Sequence, residues 1–254
     1  EYLSDDDFSR IFVLNGFAGT GKTTLIAALV AALKELRIKP VLLAPTGRAA
    51  KVLARYCGEQ ALTIHKRIYR QRTNADYESK FSLDFNREQG AVFIVDEASM
   101  LSDSTGDGAL FGSGSLLEDL VSYVRSGRGC RLILVGDSAQ LPPVGCDFSP
   151  ALDPATVSRY GEVVYGLMDE VVRQQMQSGI LFNATLVRCM LENRIYEIPK
   201  FEMDYPDFES VEGGDFMEKL QDAFDRYGRD EVIVITRSNK RANRYNEGIR
   251  RYIL

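Results

Sequence analysis

The sequence predicts an α/β domain built on a mostly parallel sheet with helices on both faces. Short β-branched runs alternate with stretches of helical period, several of those runs are apolar almost without interruption, and a glycine-rich turn joins the first run to the first helix. Near-continuous apolar runs are what strands covered on both sides require.

Ile11-Phe12-Val13-Leu14 is the first strand, and Leu25, Ile26, Leu29, Val30 and Leu33 behind the turn fall at helical spacing. Pro40 to Ala44 is the next strand and Gly47 to Cys57 the next helix. Residues 66–90 are polar, and Phe81-Ser82-Leu83-Asp84-Phe85 alternates like a solvent-exposed strand, which predicts a small β-hairpin insertion. Ala91–Val95 and Arg131–Val135 are two further buried strands. Between them lie a Gly/Ser-rich loop, 102–114, and a Ser-x-x-Glu capping box, Ser115 with Glu118, opening an amphipathic helix through Leu116, Leu120, Val121 and Val124. Val163–Tyr165 is a weaker strand and Glu231–Ile235 a clear one. The acidic segment 197–215, with Pro199, Pro206 and Gly213-Gly214, reads as a crossing from one domain into a second.

Composition narrows the function classes. At 254 residues and 45% apolar content the chain has enough core to fold without staples, which excludes disorder. The longest apolar run, Leu25 to Leu33, falls far short of the roughly 18 residues of a membrane span. Cys57, Cys130, Cys146 and Cys189 form no CxxC pair, and one histidine cannot complete a zinc set with them, so they read as reduced thiols of a cytoplasmic protein. The net charge of −5 names no nucleic-acid partner, but its sign is segregated: residues 47–72 carry seven basic side chains against Glu59, and 197–225 carry ten acids against Lys200 and Lys219. Charge alone leaves solvated helix faces equally open. Glu1 in place of Met, and an uncapped Ile253-Leu254, read as the ends of an excised piece.

Chemistry concentrates at three strand ends. Gly16-Phe17-Ala18-Gly19-Thr20-Gly21-Lys22-Thr23, followed by Thr24, fits G-x-x-x-x-G-K-[ST] between a strand and a helix. Glycines let successive amides point at phosphate oxygens, and the helix dipole adds favourable charge. Lys22 is expected on the β and γ phosphates, and the Thr23 hydroxyl on Mg²⁺. Asp96, at the end of Ile94-Val95, is the expected second metal partner, and Glu97 the group that orients or deprotonates the attacking water. Without the phosphate loop this acid pair would read as a helix cap. The third strand end, Gly136-Asp137-Ser138-Ala139-Gln140-Leu141-Pro142-Pro143-Val144, offers Gln140 as an amide able to touch the γ-phosphate or its water, on a segment stiffened by two prolines. A plain surface turn is the alternative there.

Together GFAGTGKTT, VDEAS and GDSAQLPPVG resemble the motor motifs of superfamily 1 DNA helicases of the RecD and Dda type. Ala44-Pro45-Thr46-Gly47-Arg48-Ala49-Ala50 and Thr63-Ile64-His65 resemble segments that touch the single-strand backbone in that family. Val171-Val172-Arg173-Gln174 resembles a motif whose arginine meets the γ-phosphate, and Thr236-Arg237-Ser238-Asn239 the opening of a second motor domain. Two family features are not found: Glu1–Arg10 has no adenine-reading glutamine, and no Ser-x-x-Gln-Gly-like segment follows.

The resemblance implies a RecA-like P-loop ATPase domain over residues 1–195 and, over 196–254, a linker and the beginning of a second RecA-like domain. It implies ATP with Mg²⁺, single-stranded DNA as partner, 5′ to 3′ translocation and a monomer outside the membrane. Lys22, Asp96, Glu97, Gln140 and Arg173 are then the catalytic set, and Thr46, Gly47, Arg48, Lys51, Thr63 and His65 the DNA contacts, with Tyr69 or Tyr77 available to stack on bases. A nucleotide-gated DNA clamp that does not unwind is the second reading and a small-molecule kinase a third.

Overall fold

The structure, a computed structural model, describes residues 2–3, 7–73, 79–103, 111–170 and 178–252. The chain forms two compact units, residues 1–177 with 181–199, and residues 178–180 with 200–254.

The first unit opens with β1 (Ile11–Gly16), α1 (Lys22–Glu35), β2 (Pro40–Ala44), α2 (Gly47–Cys57), β3 (Ala61–Thr63) and α3 (Ile64–Ile68). A hairpin follows, β4 (Tyr69–Thr73) with β5 (Ser79–Leu83), and then β6 (Val92–Val95), α4 (Leu116–Ser126), β7 (Arg131–Gly136), a short α5 (Pro154–Val157) and β8 (Val163–Met168). Six strands make one parallel sheet in the order β3-β2-β6-β7-β1-β8, and the hairpin is a separate antiparallel pair. This is the RecA-like P-loop sheet that the sequence predicts.

The continuous apolar runs serve two cores at once, because alternate residues of a strand point to opposite faces. Val13, Leu43, Phe93, Val95 and Leu134 pack with Ile64, Ile68, Leu117 and Val121 on one face. Leu14, Leu42, Ile94, Ile133 and Val135 pack with Ile26, Val30 and Leu33 of α1 and Leu53 of α2 on the other. Helix boundaries follow from caps: Thr46 accepts the Ala49 amide ahead of α2, Gly58 closes it at φ 63°, and Ser115 accepts the Glu118 amide ahead of α4.

The helix α6 (Gly179–Glu192) follows β8. The second unit holds α7 (Phe216–Tyr227) and α8 (Asn239–Tyr252), with the Phe216 and Tyr245 rings 5.4 Å apart and Lys219 paired to Glu209 at 2.7 Å. The strand expected at Glu231–Ile235 does not form among the described residues. The segment has no regular structure and joins no ladder, and Ile233 and Ile235 are exposed. β-propensity alone cannot make a strand where no neighbour takes up its backbone hydrogen bonds. Among the described residues no helix is long and apolar enough to cross a membrane, and the four cysteines are free.

Candidate functional site

Where β1 ends, the chain turns through residues 17–21 and starts α1 at Lys22. Gly19 and Gly21 take φ of 77° and 89°, left-handed values that a side chain would strain. The buried Thr20 pins the turn, its hydroxyl donating to the Phe17 carbonyl at 2.8 Å. Lys22 folds back over Gly16, where an added Cβ would lie 2.9 Å from Lys22 Cγ and 3.1 Å from Met168 Cβ. Its ammonium donates to the carbonyls of Gly16 at 2.6 Å and Phe17 at 3.0 Å, and lies 3.9 Å from Asp137 Oδ2. The cation thus rests in the crook of the loop on weak neutral acceptors, where phosphate oxygens would make stronger charge-assisted bonds.

The acids leave β6 on the same side of the sheet. Glu97 stands at φ 56°, a left-handed conformation for a non-glycine residue, and its amide donates to Asp96 Oδ1 at 3.0 Å. Strain of this kind clusters at functional sites. Burial pushes the Asp96 carboxyl above its ordinary pKa, against the Glu97 amide and the Lys22 charge, which pull it down. Burial, and then the Asp96 charge, push Glu97 up as well, opposed by the Lys22 charge and by the neighbouring Gln140 amide. A carboxylate raised in this way is a better proton acceptor near neutral pH.

Asp137 and Gln140 come from the end of β7. Asp137 is buried and accepts the Ala139 amide at 2.9 Å, and the Gln140 amide donates to the Asp137 carbonyl at 3.1 Å. The sheet order explains the meeting: β7 lies between β1 and β6, so three adjacent parallel strands deliver their carboxyl ends to one edge, the place where open α/β sheets bind ligands. Lys22, Asp96, Glu97 and Gln140 are therefore brought together. Arg173 falls outside the described residues.

One residue of this site has no signal in the motif letters. Asn15, buried on β1, accepts the Ser138 amide at 2.9 Å and donates to Ser138 Oγ at 2.9 Å and the Tyr165 hydroxyl at 3.2 Å. It ties the phosphate loop to the segment that carries Gln140. The sequence shows only that a polar residue ends the apolar run Ile11–Leu14 one position before the glycine-rich turn, which does not reveal its partners.

Thr46 stands two residues beyond the end of β2 and Thr63 is the last residue of β3, paired opposite Ala44, and each hydroxyl accepts a helix amide, from Ala49 and Lys66. Both threonines thus have local capping work. Gly47, Arg48 and Lys51 are exposed on the first turns of α2. In the basic stretch Arg67 is paired with Glu88 and Arg70 with Asp84, while Arg48, Lys51, Arg55 and Lys66 make no ion pair among the described residues. His65 is half-buried against Phe111, ring centroids 5.0 Å apart, and burial lowers its pKa. The expectation that Tyr69 stacks on bases is corrected: its ring is buried and its hydroxyl donates to the buried Asp119 at 2.6 Å, which anchors the hairpin to α4. Tyr77 lies outside the described residues.

Residues 6–184 match the protein family described as AAA domain. The chain belongs to this family. Its relatives include the ATP-dependent RecD2 DNA helicase of Deinococcus radiodurans, 33% identical over 53% of this chain, and the RecBCD enzyme subunit RecD of Mycobacterium tuberculosis, 33% identical over 64%. The ATP-dependent DNA helicase dda of Enterobacteria phage T4 is 34% identical over 52%. The likeness to the RecD and Dda type thus extends in sequence beyond the motor motifs themselves. The chain spans only 16%, 32% and 28% of these relatives' lengths. Among solved structures, the Pif1 helicase from Candida albicans matches 76% of this chain and 42% of its own, at 20% identity and a TM-score of 0.45.

Proposed function

We propose that this chain is the ATP-hydrolysing motor segment of a DNA helicase, coupling turnover to 5′ to 3′ movement along single-stranded DNA. The observation that supports it best is the meeting at one sheet edge of Lys22, the Asp96-Glu97 pair and Gln140. The names of the relatives, ATP-dependent DNA helicases, agree with it.

In this reading Lys22 exchanges its carbonyl partners for the β and γ phosphate oxygens of ATP. Thr23 and Asp96 would hold Mg²⁺, which supplies charge neutralisation at the phosphates; a hydroxyl and one buried carboxylate suit an ion that keeps most of its waters. Glu97 accepts the proton of the attacking water, its basicity raised by burial and by the Asp96 charge. Gln140 touches the γ-phosphate or the water and relaxes after release. Pro142-Pro143 then carries that movement outward instead of absorbing it.

Single-stranded DNA would run past Thr46, Gly47, Arg48, Lys51, Thr63 and His65, where four basic side chains of the stretch have no protein counter-charge among the described residues. Residues 1–195 would form the ATPase domain and 196–254 the linker and opening of a second RecA-like domain, working as a monomer in the cytoplasm, a compartment the free cysteines suit. The test is the ATPase rate with and without single-stranded DNA, on this chain and on a longer chain that completes the second domain. Stimulation by DNA and its loss in Lys22→Ala are expected. A rate indifferent to both changes would refute the proposal.

A further inference from the structure

The sequence offers Arg173 as the cation that meets the terminal phosphate, but a different arginine stands beside the phosphate loop. Arg188 lies on α6, on the face shared by Leu181, Ala184 and Thr185, at spacings of three, four and seven residues. That face, with Phe17, Ala18, Asp137 and Gln140, lines a cleft of about 170 Å³.

The guanidinium of Arg188 lies over the Phe17 ring, 4.1 Å from its centroid. The side chain is only 17% exposed, its Nε is buried without a hydrogen bond among the described residues, and the neighbouring carboxylate, Glu192, is 3.7 Å away and itself half-exposed. A desolvated donor without an acceptor is costly, and a ligand anion would relieve it. Stacking on Phe17 occupies the face of the guanidinium and leaves its N–H edge, which makes no hydrogen bond among the described residues, as the edge that forks onto phosphate oxygens.

Phe17 connects two cations, since its carbonyl accepts from Lys22 and its ring carries Arg188. Gln140 lines the same cleft, and in the reading above it is the amide that touches the γ-phosphate or its water. The cleft therefore opens on the terminal-phosphate side of the loop.

We propose that Arg188 binds the terminal phosphate of a nucleoside triphosphate held by this loop, and so distinguishes the triphosphate from the diphosphate. The inference rests on the phosphate-site reading above, and the experiment separates the two. Fluorescent (N-methylanthraniloyl) forms of ADP and of a non-hydrolysable ATP analogue are titrated, with Mg²⁺, into the wild-type chain and into Arg188→Ala, Arg188→Lys and Lys22→Ala. Removing a charge-assisted bond made only to the third phosphate predicts that Arg188→Ala weakens the triphosphate roughly tenfold to a hundredfold. The diphosphate should be unchanged, Arg188→Lys should recover part of the loss, and Lys22→Ala should weaken both nucleotides. Equal effects of Arg188→Ala on both nucleotides, or none on either, would overturn the inference while leaving the phosphate site intact. If Arg188→Ala does not fold, Arg188→Lys decides, because a compact ammonium cannot fork and must still weaken the triphosphate alone. Wild-type chain that binds neither nucleotide overturns both readings.

Discussion

Replacing Asn15 by alanine tests whether the phosphate loop and the Gln140 segment are mechanically joined. Asn15 makes three hydrogen bonds, to the amide and hydroxyl of Ser138 and to the Tyr165 hydroxyl. At roughly 1 kcal/mol net for each, truncation costs at most about 3 kcal/mol. Ser138 and Tyr165 are exposed, so water replaces the missing partner on their side and no desolvation penalty is added; about 2 kcal/mol is the expected loss. For a chain of this size that lowers Tm by about 4–8 °C. Thermal unfolding followed by circular dichroism reads the stability, and steady-state ATPase reads the link. The rate should fall by more than unfolding explains, because Ser138 no longer fixes the segment leading to Gln140. Asn15→Asp keeps the acceptor for the Ser138 amide and should lose less of both. A variant with unchanged Tm and unchanged rate would refute the reasoning.

Glu97→Gln should still bind nucleotide while turnover falls about a hundredfold to ten-thousandfold, the usual worth of a positioned base, as single-turnover kinetics would show. Tyr69→Phe removes the donor to buried Asp119 and should cost about 1.5–3 kcal/mol in urea unfolding, with the hairpin exchanging its amides faster. Burial raises the folded-state pKa of Asp96 and Glu97 above their unfolded values. Their contribution is therefore fully present below the unfolded values, about 4, and is lost as pH rises through the folded ones; Asp96→Asn should flatten that decline in nucleotide-free thermal scans. Arg48→Ala with Lys51→Ala should weaken single-stranded DNA binding and lower the salt slope by about 0.7 for each phosphate no longer neutralised, read by fluorescence anisotropy.

Much of this architecture is legible where local chemistry decides it. Gly47–Cys57 is bounded in sequence by Thr46 and Gly58, and the helix starts and stops there. Ser115 and Glu118 mark the start of α4 for the same reason. Non-local decisions are not legible: β3 has three residues and exists because Thr63 pairs opposite Ala44. Val232–Ile235 has the letters of a strand and lacks the neighbour. Within the site, the loop glycines, Lys22 and the acid pair follow from spacing, since phosphate geometry dictates spacing. Asn15, Tyr69 and Arg188 do not, because their roles depend on Ser138, Asp119 and Phe17, partners at least 50 residues away in sequence.

The account stands or falls on where a triphosphate binds, and a crystal structure with a non-hydrolysable ATP analogue and Mg²⁺ reads this directly. The predicted result has Lys22 released from the Gly16 and Phe17 carbonyls and bonded to phosphate oxygens, with Thr23 and Asp96 at the metal and Gln140 at the γ-phosphate or its water. A nucleotide bound elsewhere, with Lys22 still on its two carbonyls, would contradict it.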